Sequence, residues 1–215
     1  KEIKGKTHMD MTMAFDTPEN AQQSKKFIKQ AGGNGTWDRL AEFLEQEESG
    51  KEKFVINRTF EAPLDVVFDA WIKPEQFAKW IPPTGVTMKF LRADIKVGGG
   101  TFYVMTNGAD LTMYGKAEYL EIDRPNKIVY TQQFCDENEK VARHPMAPTW
   151  PETMLSTVQF HSEGTNETRV TVTWEVHGTA TPAELATFVK ERGGMTQGWT
   201  GSFDKLEELL TKLNH

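Results

Sequence analysis

The feature that most restricts what this chain can fold into is an internal repetition. The stretch FIKQAGGNGTWDRLAEFLEQ near the start echoes FVKERGGMTQGWTGSFDKLEELLTK at the end. Phe27 to Gly33 match Phe188 to Gly194 in spacing. Trp37, Asp38, Arg39, Leu40, Glu42 and Leu44 then match Phe203, Asp204, Lys205, Leu206, Glu208 and Leu210, after a longer link in the second copy. Alternating apolar residues precede both copies: Met9, Met11, Met13 and Phe15 in one, Val170, Val172, Trp174 and Val176 in the other. The repeated unit therefore reads as strand, loop, helix. The chain divides into residues 1–50, the closing part of a related domain, and residues 51–215, one complete domain. Gly50 and the charged run EQEESGKEK read as the linker.

From Lys51 the hydrophobic pattern spells out an ordered set of elements. Lys53 to Glu61 alternate around Phe54, Ile56 and Phe60 and read as a strand. Pro63 opens the helix LDVVFDAWI, and Pro74 opens the shorter helix PEQFAKW, because proline at a helix start sacrifices only an amide that has no partner there. Strands follow over Val86–Asp94, Thr101–Thr106, Leu111–Ile122, Lys127–Asp136, Thr153–Ser162 and Thr168–His177. The run Gly98–Gly100, Asn107 with Gly108, and Arg124 with Pro125 mark the turns. The loop from Glu137 to Pro151, with three prolines and Trp150, is long enough to serve as a lid. The last element is helical, broken at Gly193 and Gly194, and ends in the amphipathic stretch SFDKLEELLTKL. This order is α+β: a curved antiparallel seven-stranded sheet wrapped around a long C-terminal helix, with two short helices after the first strand.

Composition removes whole classes of function. The 215 residues are 38% hydrophobic and 26% charged, the balance of a globular protein, and no apolar run reaches the ~20 residues of a membrane helix. A net charge of -6 argues against nucleic acid as a partner, since phosphate binding depends on Lys and Arg. The lone Cys135 and the lack of an apolar leader in KEIKGKTHMD lead us to expect a cytoplasmic protein, although the chain begins at Lys1 rather than Met.

The segments FEAPLDVVFDAWIKPEQFAKW, the triple glycine with TFYVM, YGKAEYLEIDRPNKIVYTQQF, WPETMLSTVQF and GWTGSFDKLEELL carry a family resemblance. Together they resemble the bacterial relatives of the C-terminal domain of the Hsp90 ATPase activator (AHSA1-like). These belong to the START-like, SRPBCC or helix-grip superfamily that includes Bet v 1 allergens and polyketide cyclases. The resemblance spans about residues 53–213. It implies a cavity between the concave face of the sheet and the closing helix. Alternation then nominates the lining. Ile128, Tyr130, Gln132 and Phe134 share one face of their strand, as do Met154, Ser156, Val158 and Phe160 on the next. Trp71, Phe77, Trp80, Met195, Trp199 and Phe203 close the space from the helices, with Trp174 from the last strand. Tyr119, Tyr130, Gln132 and Ser156 supply polar groups among these apolar walls. The competing expectation is that the same aromatics fill a dry core.

No catalytic set stands out. His8, His144, His161, His177 and His215 include no pair at metal-ligand spacing, so neither a metal nor a cofactor is expected. Cys135 has no basic sequence neighbour to activate it. The glycine run joins two strands and lacks the lysine and helix of a phosphate loop, which leaves it as a bend or bulge. Arg58 shares the parity of Phe54, Ile56 and Phe60, so strict alternation turns it inward to hold an anionic ligand; the preferred account is a bulge that turns it outward or an ion pair with a neighbouring acid. Asp204 and its counterpart Asp38 read as helix-capping acids. Three functions stay open: non-catalytic binding of a small hydrophobic or amphipathic molecule, which the cavity favours; chaperone interaction, which the resemblance suggests; and a cyclase- or hydrolase-like enzyme. The strand and helix of the first fifty residues cannot bury themselves, and pairing along a sheet edge or formation of a homodimer would cover them.

Overall fold

The computed structural model describes residues 2–3, 6–7, 12–30 and 35–213. The chain forms two compact units, Lys1–Gly33 and Asn34–His215. In the first, strands β1 (Glu2–Ile3) and β2 (Lys6–Thr7) pair antiparallel, and helix α1 spans Pro18–Gln30. Met9 and Met11 of the expected N-terminal strand lie outside the described residues. Its described end is not a strand: Met13 and Phe15 sit in irregular chain before α1, with their side chains exposed.

The second unit holds helix α2 (Gly35–Ser49), strand β3 (Lys53–Phe60), helices α3 (Leu64–Ile72) and α4 (Pro74–Trp80), strands β4 (Thr87–Ala93), β5 (Gly100–Thr106), β6 (Thr112–Asp123), β7 (Lys127–Cys135), β8 (Met154–Gly164) and β9 (Glu167–Val176), and helices α5 (Pro182–Lys190) and α6 (Arg192–Leu213). The seven strands from β3 onward form one antiparallel sheet in the order β3-β9-β8-β7-β6-β5-β4. This is the α+β helix-grip architecture expected from the pattern. Helices α3 and α4 carry the chain from one edge strand, β3, to the other, β4.

Local chemistry explains each boundary. Pro63 is the N-cap of α3 and Pro74 the first residue of α4, with Lys73 in extended geometry between them. Thr181 and Glu184 form a reciprocal capping box at the start of α5. The glycine run is the β4–β5 turn: Gly98 takes φ +75, and a Cβ on Gly99 would stand 2.3 Å from the Asp94 carbonyl oxygen. The expected break at Gly193 and Gly194 falls earlier. Glu191 ends α5, and both glycines lie in the first turn of α6, which runs on to bury Met195 and Trp199.

The core lies between the sheet and α3, α4 and α6. Phe203 of α6 meets Phe60 of β3 edge to face at 5.5 Å, and Trp71 packs on Trp80 at 4.3 Å. The Trp80 indole N–H donates to the Ala70 carbonyl at 2.9 Å, so this buried ring keeps its hydrogen bond.

Helix α2 departs from the sequence reading in a telling way. Its apolar stripe, Trp37, Leu40, Phe43 and Leu44, is exposed, while Asp38 and Glu42 are buried against β3. The Val55 N–H donates to Glu42 at 2.8 Å, Arg39 donates to the Val55 carbonyl at 3.2 Å, and the Asn57 amide donates to Asp38. An edge strand leaves one row of backbone groups unpaired, and the polar face of α2 supplies partners for that row. Among the described residues this edge of β3 is covered by side-chain capping from a helix rather than by a paired strand. Asp38 and Asp204 do not cap helices: Asp38 binds Asn57, and Asp204 pairs with Arg58 at 2.6 Å.

Candidate functional site

A cavity of about 520 Å³ lies between the concave face of the sheet and α6. That size is within the range of small-molecule sites. Strands β5, β6 and β7 form one wall, α4 and the chain after it a second, α6 a third, and the β7–β8 loop adds His144, Met146 and Trp150 to the lining.

The space exists because of where small residues fall. Gly194, Gly198 and Ser202 line the cavity at successive i+4 positions of α6, so one helical stripe presents almost no side chain. A Cβ placed on Gly198 meets no atom within 4 Å. Gly115 on β6 has a different part: a Cβ there would run into the Tyr103 ring, so glycine lets that ring lie across the strand.

Nine of the residues nominated from sequence line the cavity: Phe77, Tyr119, Tyr130, Gln132, Phe134, Met154, Trp174, Met195 and Trp199. Trp71, Trp80, Val158 and Phe203 lie instead in the packed core, and Ser156 is buried in β8 beside Tyr130. Arg58 does turn toward α6, as its parity suggests, but it lies 5.5 Å over the Phe203 ring in its ion pair with Asp204 and is not part of the cavity wall. The wall also holds Tyr103, Met88, Met105 and Met113, which the choice of β7 and β8 as the lining strands overlooked. Their signal was available: Tyr103 and Met105 alternate on β5, and Met113 faces Met105 across the register.

The buried part of the wall is uncharged. No Lys or Arg is among the lining residues; the only formal charges are the exposed Glu152 and Glu191. Burial pushes the Tyr130 hydroxyl up to about 12, and burial raises Tyr103 and Tyr119 further, so all three remain neutral phenols. Burial also lowers His144, whose ring stacks edge to face on Phe134 at 4.6 Å and whose Nδ1 accepts the Met146 N–H at 3.1 Å. The indole N–H groups of Trp174 and Trp199 are buried without an acceptor in the protein. Cys135 is buried, and burial raises its thiol, which makes it a poor nucleophile. Among the described residues no three His, Cys, Asp or Glu side chains converge to hold a metal, and no helix is long and apolar enough to cross a membrane.

The cover is fastened to α5. Arg143 forms an ion pair with Glu184, Thr149 and Thr187 share a hydrogen bond of 2.8 Å, and Trp150 meets Phe188 at 6.1 Å. The Thr181 backbone N–H and the Arg143 guanidinium hold the Glu184 carboxyl below its usual range, so it is ionised for both partners.

Comparison with known proteins agrees with this geometry. Solved structures that share the fold include a protein from Staphylococcus epidermidis at 30% identity and TM-score 0.59, covering 75% of this chain and 91% of that one. Protein Ms6760 from Mycobacterium smegmatis has 20% identity and TM-score 0.60, with coverage of 74% and 90%. An AHSA1 protein from Silicibacter pomeroyi has 18% identity and TM-score 0.57, with coverage of 76% and 99%. No curated protein matches the chain. A family model described as "Activator of Hsp90 ATPase homolog 1-like protein" matches residues 61–211, from the end of β3 through α6. The chain belongs to this family of activator of Hsp90 ATPase homolog 1-like proteins.

Proposed function

We propose that the second unit is a non-catalytic binding domain for a neutral, amphipathic small molecule. The observation that carries this reading is a cavity of about 520 Å³ whose buried wall has apolar and aromatic side chains, neutral phenols and amides, no Lys or Arg, and carboxylates only at the exposed Glu152 and Glu191. Carboxylate or phosphate ligands need Arg or Lys partners, which the wall lacks. An uncharged body with an oxygen acceptor suits it: the Tyr130 hydroxyl and Gln132 amide can donate, and the methionines adapt to irregular shapes. Neutral amphiphiles are expected to raise thermal stability, by about 2.7 kcal/mol at a hundredfold excess over Kd, whereas their carboxylate analogues leave it unchanged. Equal stabilisation by both series, or by neither, contradicts the reading.

Family membership supports a second reading, contact with an Hsp90-type chaperone. It is tested by the ATPase rate of such a chaperone with excess protein; an unchanged rate dismisses it.

A further inference from the structure

The two helices of the internal repetition have opposite faces buried. In α6, Phe203, Leu206 and Leu210 are 0%, 0% and 2% exposed, while Asp204 and Glu208 face outward. At the matching positions of α2, Trp37, Leu40 and Leu44 are 36%, 44% and 55% exposed, while Asp38 and Glu42 are 3% and 5%. The correspondence extends to groups that anchor α6. Ser202 donates to the Ile81 carbonyl at 2.7 Å and Lys205 donates to the Pro82 carbonyl. Thr36 and Arg39 place a hydroxyl and a cation at the same offsets of α2. Helix α1 also begins with a Thr-Pro pair, Thr17 and Pro18, but three residues further from Phe27 than Thr181 and Pro182 of α5 are from Phe188, and Thr17 accepts the Asn20 N–H at 3.2 Å.

From this inversion we infer that α2 is the closing helix for a second helix-grip sheet, its Trp37, Leu40, Phe43 and Leu44 face shaped to fill the concave apolar face of another domain of this family. Its polar face is already engaged with the β3 edge, so α2 acts as a bracket, sealing one domain's core with its apolar side and the next domain's sheet edge with its carboxylates. An ordinary surface helix shows the reverse arrangement, with its apolar stripe on its own core. Exposing four large apolar residues is what a helix does when the sheet it closes belongs to another domain. The residue-by-residue match to α6 identifies the chemistry of that occupant: a curved antiparallel sheet whose inner face offers aromatic and β-branched side chains.

The test is made in the whole chain by writing the α2 face into α6 with S202T, F203W, K205R, E207A and L209F, and in a second variant that keeps Phe203 and carries the other four. Cooperative thermal unfolding within about 5 °C of the parent in either variant supports the inference. Loss of cooperative unfolding in both overturns it, because a face that cannot close this sheet has no claim to fit its relatives. In parallel, L40E/L44E leaves the melting temperature of the parent unchanged if the face belongs to no core within this chain; a drop beyond about 5 °C overturns it. Sedimentation of the parent separates the other occupant: a dimer that L40E/L44E dissolves means that a second copy of this chain covers the face, and overturns the inference.

Discussion

Asp38 shows how burial of one carboxyl sets a pH dependence. Packing of α2 on β3 desolvates it and raises its pKa from the ordinary 3.8 to about 7, with the Arg39 guanidinium opposing the rise. Because the folded value lies above the unfolded one, the stabilisation it gives is complete below about pH 4 and is lost as pH rises through 7. Helix α2 is therefore expected to hold β3 more tightly at pH 6 than at pH 8, read as larger amide protection factors over residues 35–49 at the lower pH, with the intrinsic pH dependence of exchange divided out. D38N should flatten that difference. An unchanged pH dependence in D38N would show that the titrating group lies elsewhere. Arg58 makes a related point: alternation alone sends it toward α6, but only the fold brings Asp204 to it, since the two are 146 residues apart in the chain.

At the scale of elements, identical periodicity leads to opposite burial. The apolar stripes of α2 and α6 look alike in sequence, so both read as core-facing, yet only that of α6 is buried. The difference comes from a tertiary requirement, the unpaired edge of β3, which local pattern does not encode. Truncation should expose it: F203A is expected to cost about 3–5 kcal/mol of stability in denaturant titration, and W37A under about 0.5 kcal/mol. A loss of several kcal/mol in W37A would mean that its ring is packed in this domain. The length and prolines of the β7–β8 loop pointed to a lid, and the structure places His144, Met146 and Trp150 of that loop in the cavity lining; its fastening was not legible, because Arg143 and Glu184 are 41 residues apart. R143A removes that ion pair while leaving the Thr181–Glu184 capping box intact. We expect it to raise the dissociation rate of a bound molecule by about tenfold with little change in association, the usual division for a contact formed after encounter. Equal rates in the variant and the parent would show that the cover does not gate the cavity.

For the whole molecule, most of the architecture was written in the sequence. Period-2 alternation and glycine and proline punctuation located the seven strands within a few residues, and the helix starts at Pro63 and Pro74 were visible directly. The cavity was less legible. Aromatic residues marked the wall, but the same residues also mark a filled core, and Trp71, Trp80 and Phe203 are indeed core. What separates cavity from core is the stripe Gly194, Gly198 and Ser202, whose effect depends on which side of α6 meets the sheet. The central claim is that this stripe keeps open a site for a neutral amphipathic molecule. It is tested most directly by native mass spectrometry of the whole chain with the neutral probe 6-propionyl-2-(dimethylamino)naphthalene, whose ketone oxygen is the acceptor the site calls for, beside the variant G198F. That substitution fills the open space at Gly198 and, by helix propensity, leaves the fold about 0.5 kcal/mol more stable. The account predicts a one-to-one adduct for the parent that disappears in folded G198F; no adduct with the parent, or the same adduct with both, would contradict it.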